Sequence, residues 1–529
     1  MKSVPGRLWK AVRRLFAAYP ADVRVRWMRD RLLATMPARP TPAAAAVVAV
    51  ESVEDLCYFG FFSALTCELK RHTDVRIELV VVRAISGSVG VGWRARLLRS
   101  LPVTWLLSSQ WVQAYRGWAD GVAYRCESAR HPFGDLVDWW RSRGAWQQLQ
   151  RQGGDASLFI DGVQVGDLVN DSYLRFRPAP RFDAGDPFVQ RLIWQAFRDA
   201  RRARRYFSRV RPRLYLTTYA TYLEHGVAVR VALAQGVRVL SFANFVRLGK
   251  ELNRDDPYQT HDCTGYKTAF EALPAREQRL AQAESRLQAR LGGRIDAATS
   301  YMRASAYTDQ GAVVPPGVAG AVVIFMHDFY DSPHVYHDMV FGDFWRWVCF
   351  TIDVFRQAGI RFYLKPHPNQ ISLSHVTLQE LQHAYTGLQF VPPGVTTVQL
   401  AQAGMACGVT VHGTVAHELA YLGVPSIACA RHPHIAFDIC RTARSVEEYA
   451  DLLRAAVSAP TDKPALRREA LAFYYMHNLH GGADELAFRD AFIAWWNVCQ
   501  QADLPEPELL AHFDALRQDP AFLRFVQGL

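Results

Sequence analysis

Two short motifs about 45 residues apart hold the residue types from which a site for an anionic ligand can be built. Lys365-Pro366-His367-Pro368-Asn369 follows the apolar run Ile360 to Leu364, and His412-Gly413-Thr414-Val415-Ala416-His417-Glu418 follows Met405 to Val411. Each places a histidine at the carboxyl end of a predicted parallel strand, the edge at which open α/β sheets bind ligands. Lys365 offers a point charge and His367 a ring N–H, while Pro368 keeps His367 out of helical conformation. In the second motif Thr414 can cap the following helix. The Gly413 and Thr414 N–H groups are then expected to stay open to phosphate. His417 and Glu418 lie one turn on, where Glu418 is expected to reach a ribose hydroxyl or a base edge.

Two more loops carry polar side chains at strand ends. His327-Asp328-Phe329-Tyr330-Asp331-Ser332-Pro333-His334 follows the strand predicted at Ala321 to Met326, and His432-Pro433-His434 lies further on. His327, Asp328, Asp331 and His334 are metal-ligand types, but their spacing matches no metal template, so no metal is expected.

The elements needed to position these residues repeat along the chain. Ala45 to Val50 reads as a strand, Ser52 with Asp55 as a helix start, and Val75 to Val82 as the next strand, a βαβ unit. A second such unit is predicted at Arg213–Tyr219, Leu223–Gln235 and Val237–Ala243. Residues 311–320, rich in Gly and Pro, read as an interdomain hinge. Beyond it the alternation resumes through strands at 321–326, 360–364, 405–411 and 424–428, with helices between. The implied division is a basic amphipathic segment at 1–40, Rossmann-like domains at 41–310 and 311–460, and a helical tail at 461–529. Two α/β halves, a hinge and terminal helices are the pattern of a GT-B glycosyltransferase. The fold expected is therefore α/β, with two Rossmann-like domains facing across a cleft.

Composition narrows the partners. The chain has 529 residues, half of them hydrophobic, with a net charge of +11 and a pI near 9.2. That balance favours an anionic partner. No zinc-finger or RNA-binding signature accompanies it, which argues against nucleic acid. Nine cysteines without regular spacing suit free thiols. The basic start lacks an apolar signal core, and no apolar run is long enough to span a bilayer, so a cytoplasmic location is expected. The first 31 residues carry nine Lys or Arg and two Asp, with Leu8, Val12, Leu15 and Phe16 at helical spacing. Such a segment suits a membrane surface at the inner face of the inner membrane. The arginines of 201–213 read as a solvated helix face, with anionic lipid or a pyrophosphate-linked acceptor as the functional alternative.

A transfer to a hydroxyl requires a proton acceptor. The candidates in the N-terminal half are Asp171 and Asp167, then Asp161 and Glu224, the first three expected in a Gly-containing loop or strand-end setting. At these motifs the chain resembles bacterial surface-polysaccharide glycosyltransferases, in particular the β-Kdo transferases and bacterial sialyltransferases. His367-Pro368 resembles their HP motif, which contacts the CMP part of the donor. His412-Gly413-Thr414 resembles their second phosphate-binding turn. The Asp328 to His334 loop and the Gly166 to Arg175 stretch are also similar to surface-carbohydrate proteins. Ile160-Asp161-Gly162 keeps only one acid of the acidic-acidic-Gly motif of polysialyltransferases.

The resemblance implies an inverting, metal-independent enzyme with no cofactor. Its donor would be a nucleotide sugar, a CMP-linked ulosonic acid such as Kdo, and its acceptor a glycan or lipid-linked glycan of capsule or lipopolysaccharide. Lys365, His367, Pro368, Asn369, His412, Gly413, Thr414, His417, Glu418, His327 and Asp328 would bind the donor. Two alternatives stand beside it. One is a CDP-polyol phosphotransferase of teichoic-acid type, whose base would be His225. The other is a non-catalytic glycan-assembly subunit.

Overall fold

A computed structural model describes residues 22–36, 45–81, 111–123, 132–152, 157–177, 179–302, 305, 307, 311–336, 338–368, 370–458 and 460–529. The stripe of Leu8, Val12, Leu15 and Phe16, and Asn369, lie outside the described residues. The chain forms two compact units. One comprises Met1–Ser172, Ala184–Gln259 and Gly482–Leu529; the other comprises Tyr173–Asp183 and Thr260–Gly481.

In the first unit the strands are β1 (Ala46–Glu51), β2 (Val75–Val80), β3 (Gly121–Ala123), β4 (Phe159–Ile160), β5 (Val163–Gln164), β6 (Leu214–Thr217), β7 (Arg238–Ser241) and β8 (Lys250–Leu252). Six of them form one sheet in the order β3-β2-β1-β6-β7-β8. Its pairings are parallel except for β7 with β8. Helix Leu56–His72 crosses over from β1 to β2, capped by Asp55, which accepts the Tyr58 N–H at 3.0 Å. Its residues 57–69 are all buried. An amphipathic crossover helix would keep one face in water; here terminal helices cover the rest. The Trp495 indole donates to the Cys57 carbonyl at 2.9 Å, and its ring lies against Gly60, where a Cβ would meet it at 2.5 Å. Helix Val23–Thr35 adds Val25, Met28 and Leu32 to this core.

The second unit holds β9 (Val322–Phe325), β10 (Phe362–Lys365), β11 (Cys407–Val409), β12 (Ser426–Ala428) and β13 (Cys440–Thr442). Their order is β10-β9-β11-β12-β13 and every pairing is parallel. Residues of β9, β11 and β12 are all buried. That is why these strands read as unbroken apolar runs rather than alternating ones.

Both units are thus α/β with predominantly parallel sheets, but the divisions fall elsewhere than expected. Residues 311–320 are internal to the second unit and do not separate domains. The Tyr363 hydroxyl donates to the Pro316 carbonyl at 2.6 Å, and Arg361 donates to the Ala319 carbonyl at 2.7 Å. Residues 260–310 belong to the second unit, and the supposed tail divides at Gly481. Helix Lys463–Tyr474 stays in the second unit, whereas Ala483–Cys499, Glu506–Gln518 and Pro520–Gln527 complete the first. The eight described cysteines are all free. Among the described residues no helix is long and apolar enough to cross a membrane.

Candidate functional site

The carboxyl edge of the second sheet carries the strand-end histidines. β10 ends in Lys365 with His367 two residues on, β9 leads to His327, and β11 leads to His412. The His327 ring stacks on Phe344 at 4.8 Å and lies 4.5 Å from the His412 ring. Its Nε2 pairs with the Thr410 hydroxyl at 3.1 Å. Burial, reinforced by His412 and His367, holds the His327 pKa well below the usual imidazole value. Burial lowers that of His412 to about 4. Both rings are therefore neutral at pH 7. The Nε2 of His412 is buried with no hydrogen-bond partner among the described residues. Burial also lowers the His367 pKa, against the pull of Asp331 and Asp328. It brings Lys365 down to about 8, with the ammonium donating to the Val395 carbonyl. Pro368 is exposed beside His367.

Several partners of this edge differ from expectation. The Gly413 N–H is not open: it donates to the Thr410 hydroxyl at 3.2 Å. Thr414 occupies the cap position without a side-chain cap bond, and the helix it opens, Val415–Tyr421, has seven residues. Asp328 is engaged by the chain itself, accepting from the N–H groups of Tyr330 (2.9 Å) and Ile371 (2.8 Å) and from the Ser374 hydroxyl (3.1 Å). It thereby ties the loop after β9 to the helix that follows His367-Pro368. His417 is buried, its ring 5.0 Å from that of Phe473. Glu418 is buried in an ionic network: Arg290 reaches it at 2.6 Å, and Tyr307 donates to its other oxygen. Arg290 also meets Asp296, which accepts from Tyr474 at 2.9 Å. Burial pushes Glu418 up to about 7 against Arg290. A helical face that looked available from spacing is consumed by residues that only tertiary contact supplies.

The first unit's acids change roles similarly. Asp167 and Asp171 lie on helix Gly166–Phe176, not in a loop, and both are buried. Asp167 forms a two-pronged ion pair with Arg230 and accepts from Tyr258 at 3.1 Å. Asp171 adds to the charge that raises the Arg230 pKa against burial. A carboxylate so paired is a poor proton acceptor. Asp161 has φ of 49° and precedes Gly162 at 83° in the two-residue turn joining β4 to β5. Its type suits that turn, and Arg141 and Arg204 bracket its carboxylate. Arg201 meets Asp135 and Asp138, Arg202 meets Asp199 and Arg204 meets Asp161, so the helical part of the 201–213 cluster is partly ion-paired rather than a purely solvated face.

The structure orients a further candidate proton acceptor, His225, in the first turn of helix Tyr222–Ala234 beside Glu224. Its Nδ1 lies 2.6 Å from Glu51, the last residue of β1. Glu51 is fully buried and also accepts from the Thr217 hydroxyl (3.0 Å), the Thr218 N–H (2.8 Å) and the Thr218 hydroxyl (2.7 Å). With Nδ1–H held by the carboxylate, the lone pair of the neutral ring sits on Nε2. Burial works to lower the His225 pKa, but the Glu51 charge and hydrogen bond, with Glu224 behind them, leave it above the ordinary value. Glu51 falls below its ordinary value, because His225 and Thr218 outweigh burial. The dyad stands at the carboxyl edge of β1 and β6. A sequence signal for it existed: a lone acid ending the apolar run Val47 to Val50.

Among solved structures, the chain is similar to KpsC, the β-Kdo 2,4 transferase of Thermosulfurimonas dismutans. The two share 14% identity over 46% of this chain and 79% of that one, with a TM-score of 0.29. It is similar to the glycotransferase of kitacinnamycin at 12% identity over 84% and 98% of the two chains, TM-score 0.28. The UDP-GlcNAc 2-epimerase of Neisseria meningitidis follows at 10% identity over 80% and 93%, TM-score 0.23. No protein-family model matches the chain, and no curated protein does. Likeness at this level decides nothing about activity.

Proposed function

We propose that the chain is an inverting glycosyltransferase of bacterial surface-polysaccharide synthesis, using a CMP-linked ulosonic acid such as Kdo as donor and a glycan or lipid-linked glycan as acceptor. One observation carries the reading: the carboxyl edges of both sheets carry histidine, and in the first unit His225 forms an oriented dyad with Glu51. In this reading Lys365, His367 and His412 bind the nucleotide end of the donor. The acceptor oxygen forms its bond to the anomeric carbon as the bond to the CMP phosphate breaks. Its proton passes to Nε2 of His225, and Glu51 stabilises the imidazolium. Asp161, Asp167, Asp171 and Glu224 are not assigned the base role, because the first three are tied to arginines or buried and Glu224 supports His225.

A thermal-shift series with CMP, CDP, UDP, GDP and ADP tests the donor half. A ligand at 100 times its Kd stabilises by about 2.7 kcal/mol. Selective stabilisation by CMP, lost in His367→Ala, is expected; stabilisation by UDP or GDP instead would sink the CMP assignment. Loss of a positioned base costs about 10²–10⁴-fold in turnover, so His225→Ala should lose that much while keeping the CMP shift. Turnover requires neutral His225, so it falls on the acid side of the raised pKa. Glu51→Gln, by removing the charge that raises it, moves that limb to lower pH.

The dyad also favours a second reading, the CDP-polyol phosphotransferase, for which a histidine base was the expected one. Both reactions release CMP, but only the phosphotransferase leaves phosphorus in the product, so the phosphorus content of the acceptor separates them.

The acceptor is proposed to be met at an anionic membrane surface. On helix Pro132–Arg151, Phe133, Leu136, Val137 and Trp140 recur at helical spacing and are 82%, 55%, 55% and 60% exposed. Exposed Arg143 and Arg151 continue the helix. Apolar residues with basic neighbours on one helix suit the headgroup boundary of anionic lipid. Sedimentation with phosphatidylglycerol vesicles should capture the protein and lose Trp140→Glu; equal capture by neutral vesicles would contradict the electrostatic part.

A further inference from the structure

One cluster of ligating side chains in the second unit is not among the donor residues assigned above. Cys440 opens β13, and His432 and His434 lie in the loop leading to it from β12. The parallel register pairs Ser426 with Cys440 and Ala428 with Thr442. One ring nitrogen from each histidine and the Cys440 Sγ all lie within 4.8 Å of one another. The two imidazoles stack with centroids 3.7 Å apart at 21°.

Their hydrogen bonding is incomplete in one direction. His432 spends Nε2 on the Thr442 hydroxyl at 2.6 Å, while its Nδ1 is buried without a partner. His434 has no solvent exposure, and neither of its ring nitrogens has a partner among the described residues. Buried polar atoms of this kind ordinarily find partners, and a bound ion is one recognised reason when they find none within the chain. We propose that His432, His434 and Cys440 form a binding site for a single zinc-class cation.

Two imidazoles and a thiolate make a donor set of borderline softness, suited to zinc. Calcium and magnesium would require oxygen ligands, which this set does not offer. The Thr442 contact takes the role usual behind a metal-bound histidine: it accepts Nε2–H and turns the Nδ1 lone pair toward the ion. Coordination takes the proton from the Cys440 thiol to solvent, and water completes the fourth position. The ion would clamp the loop after β12 to the edge strand β13. This role is structural and does not depend on the transfer chemistry proposed above.

The test uses the full-length chain without a polyhistidine tag, titrated with cobalt(II) as an optical substitute for zinc. The expected result is a thiolate-to-cobalt charge-transfer band in the near ultraviolet that saturates at one equivalent and is displaced by zinc. Cys440→Ser, nearly isosteric, should lose the band and the rise in melting temperature that zinc produces in the parent chain. Circular dichroism checks that the variant folds. Should it not fold, Thr442→Val removes only the outer contact and should weaken zinc tenfold or more. Absence of the band in the folded parent chain overturns the site. So does a band and zinc affinity unchanged in Cys440→Ser or, where that variant fails to fold, in Thr442→Val.

Discussion

In the proposed reading, Lys365 is the donor residue whose ionisation most directly governs nucleotide capture. Burial brings its pKa from the ordinary 10.5 to about 8, while His412, after β11 on the same sheet edge, is neutral down to about 4. Among the described residues assigned to the donor, positive charge at pH 7 is carried by the Lys365 ammonium, which is lost as pH rises through about 8. Nucleotide affinity should hold on the acid side of that value and fall above it. Replacing Lys365 by Met should weaken binding and flatten the dependence, as read by titration calorimetry between about pH 7 and about pH 9. An ordinary lysine would show no fall in that range, so a flat profile in the parent chain contradicts the assignment. Little of this was legible in the residue types. Lys365 and His367 could be placed at a strand end from the Lys-x-His-Pro spacing, but the burial that sets their protonation is a property of neighbours distant in sequence.

Between residue and unit, loops at the sheet edge are tied to one another by buried carboxylates. Asp328 connects the loop after β9 to the N–H of Ile371, so it sets the position of the segment that carries His367. Asp328→Asn leaves one acceptor oxygen where two are used. An unsatisfied buried donor costs about 1–3 kcal/mol. The variant should lose that much stability in urea, with a parallel loss of nucleotide affinity; unaltered affinity in a destabilised variant would separate the loop from the site. At this scale sequence reading succeeded where apolar runs are unbroken. The strands expected at 321–326 and 405–411 are present as shorter cores at Val322–Phe325 and Cys407–Val409. It failed at 160–175, where glycines and acids suggested a loop. Gly162 serves a hairpin turn, whereas Gly166 merely starts a helix whose acids face Arg230. Turn and helix glycines carry the same letter, and only the partner chain segment distinguishes them.

Across the whole molecule, the chain leaves the first unit and returns to it. Helices at 483–527 seal the helix at 56–72, and Trp495 is the central plug, 2% exposed. Large-to-small replacement of a buried Trp costs about 3–5 kcal/mol. Trp495→Ala should therefore lower the denaturant midpoint of the first unit's transition and leave that of the second unit in place, with the two followed by hydrogen exchange of β1 and β9 amides. A shift confined to the second unit would contradict the assignment of these helices to the first.

The amino-acid order by itself determined the α/β class, the strand-end placement of His327, His367 and His412, and the free state of the described cysteines, because these follow from local apolar periodicity and spacing. Tertiary structure alone decided which acids are spent in ion pairs, that His225 is held by Glu51 174 residues away, and that the 311–320 segment is no boundary. The physical reason is the same in each case. Hydrogen bonds and ion pairs between segments far apart in the chain leave no periodic trace, yet they set which polar groups remain available for chemistry.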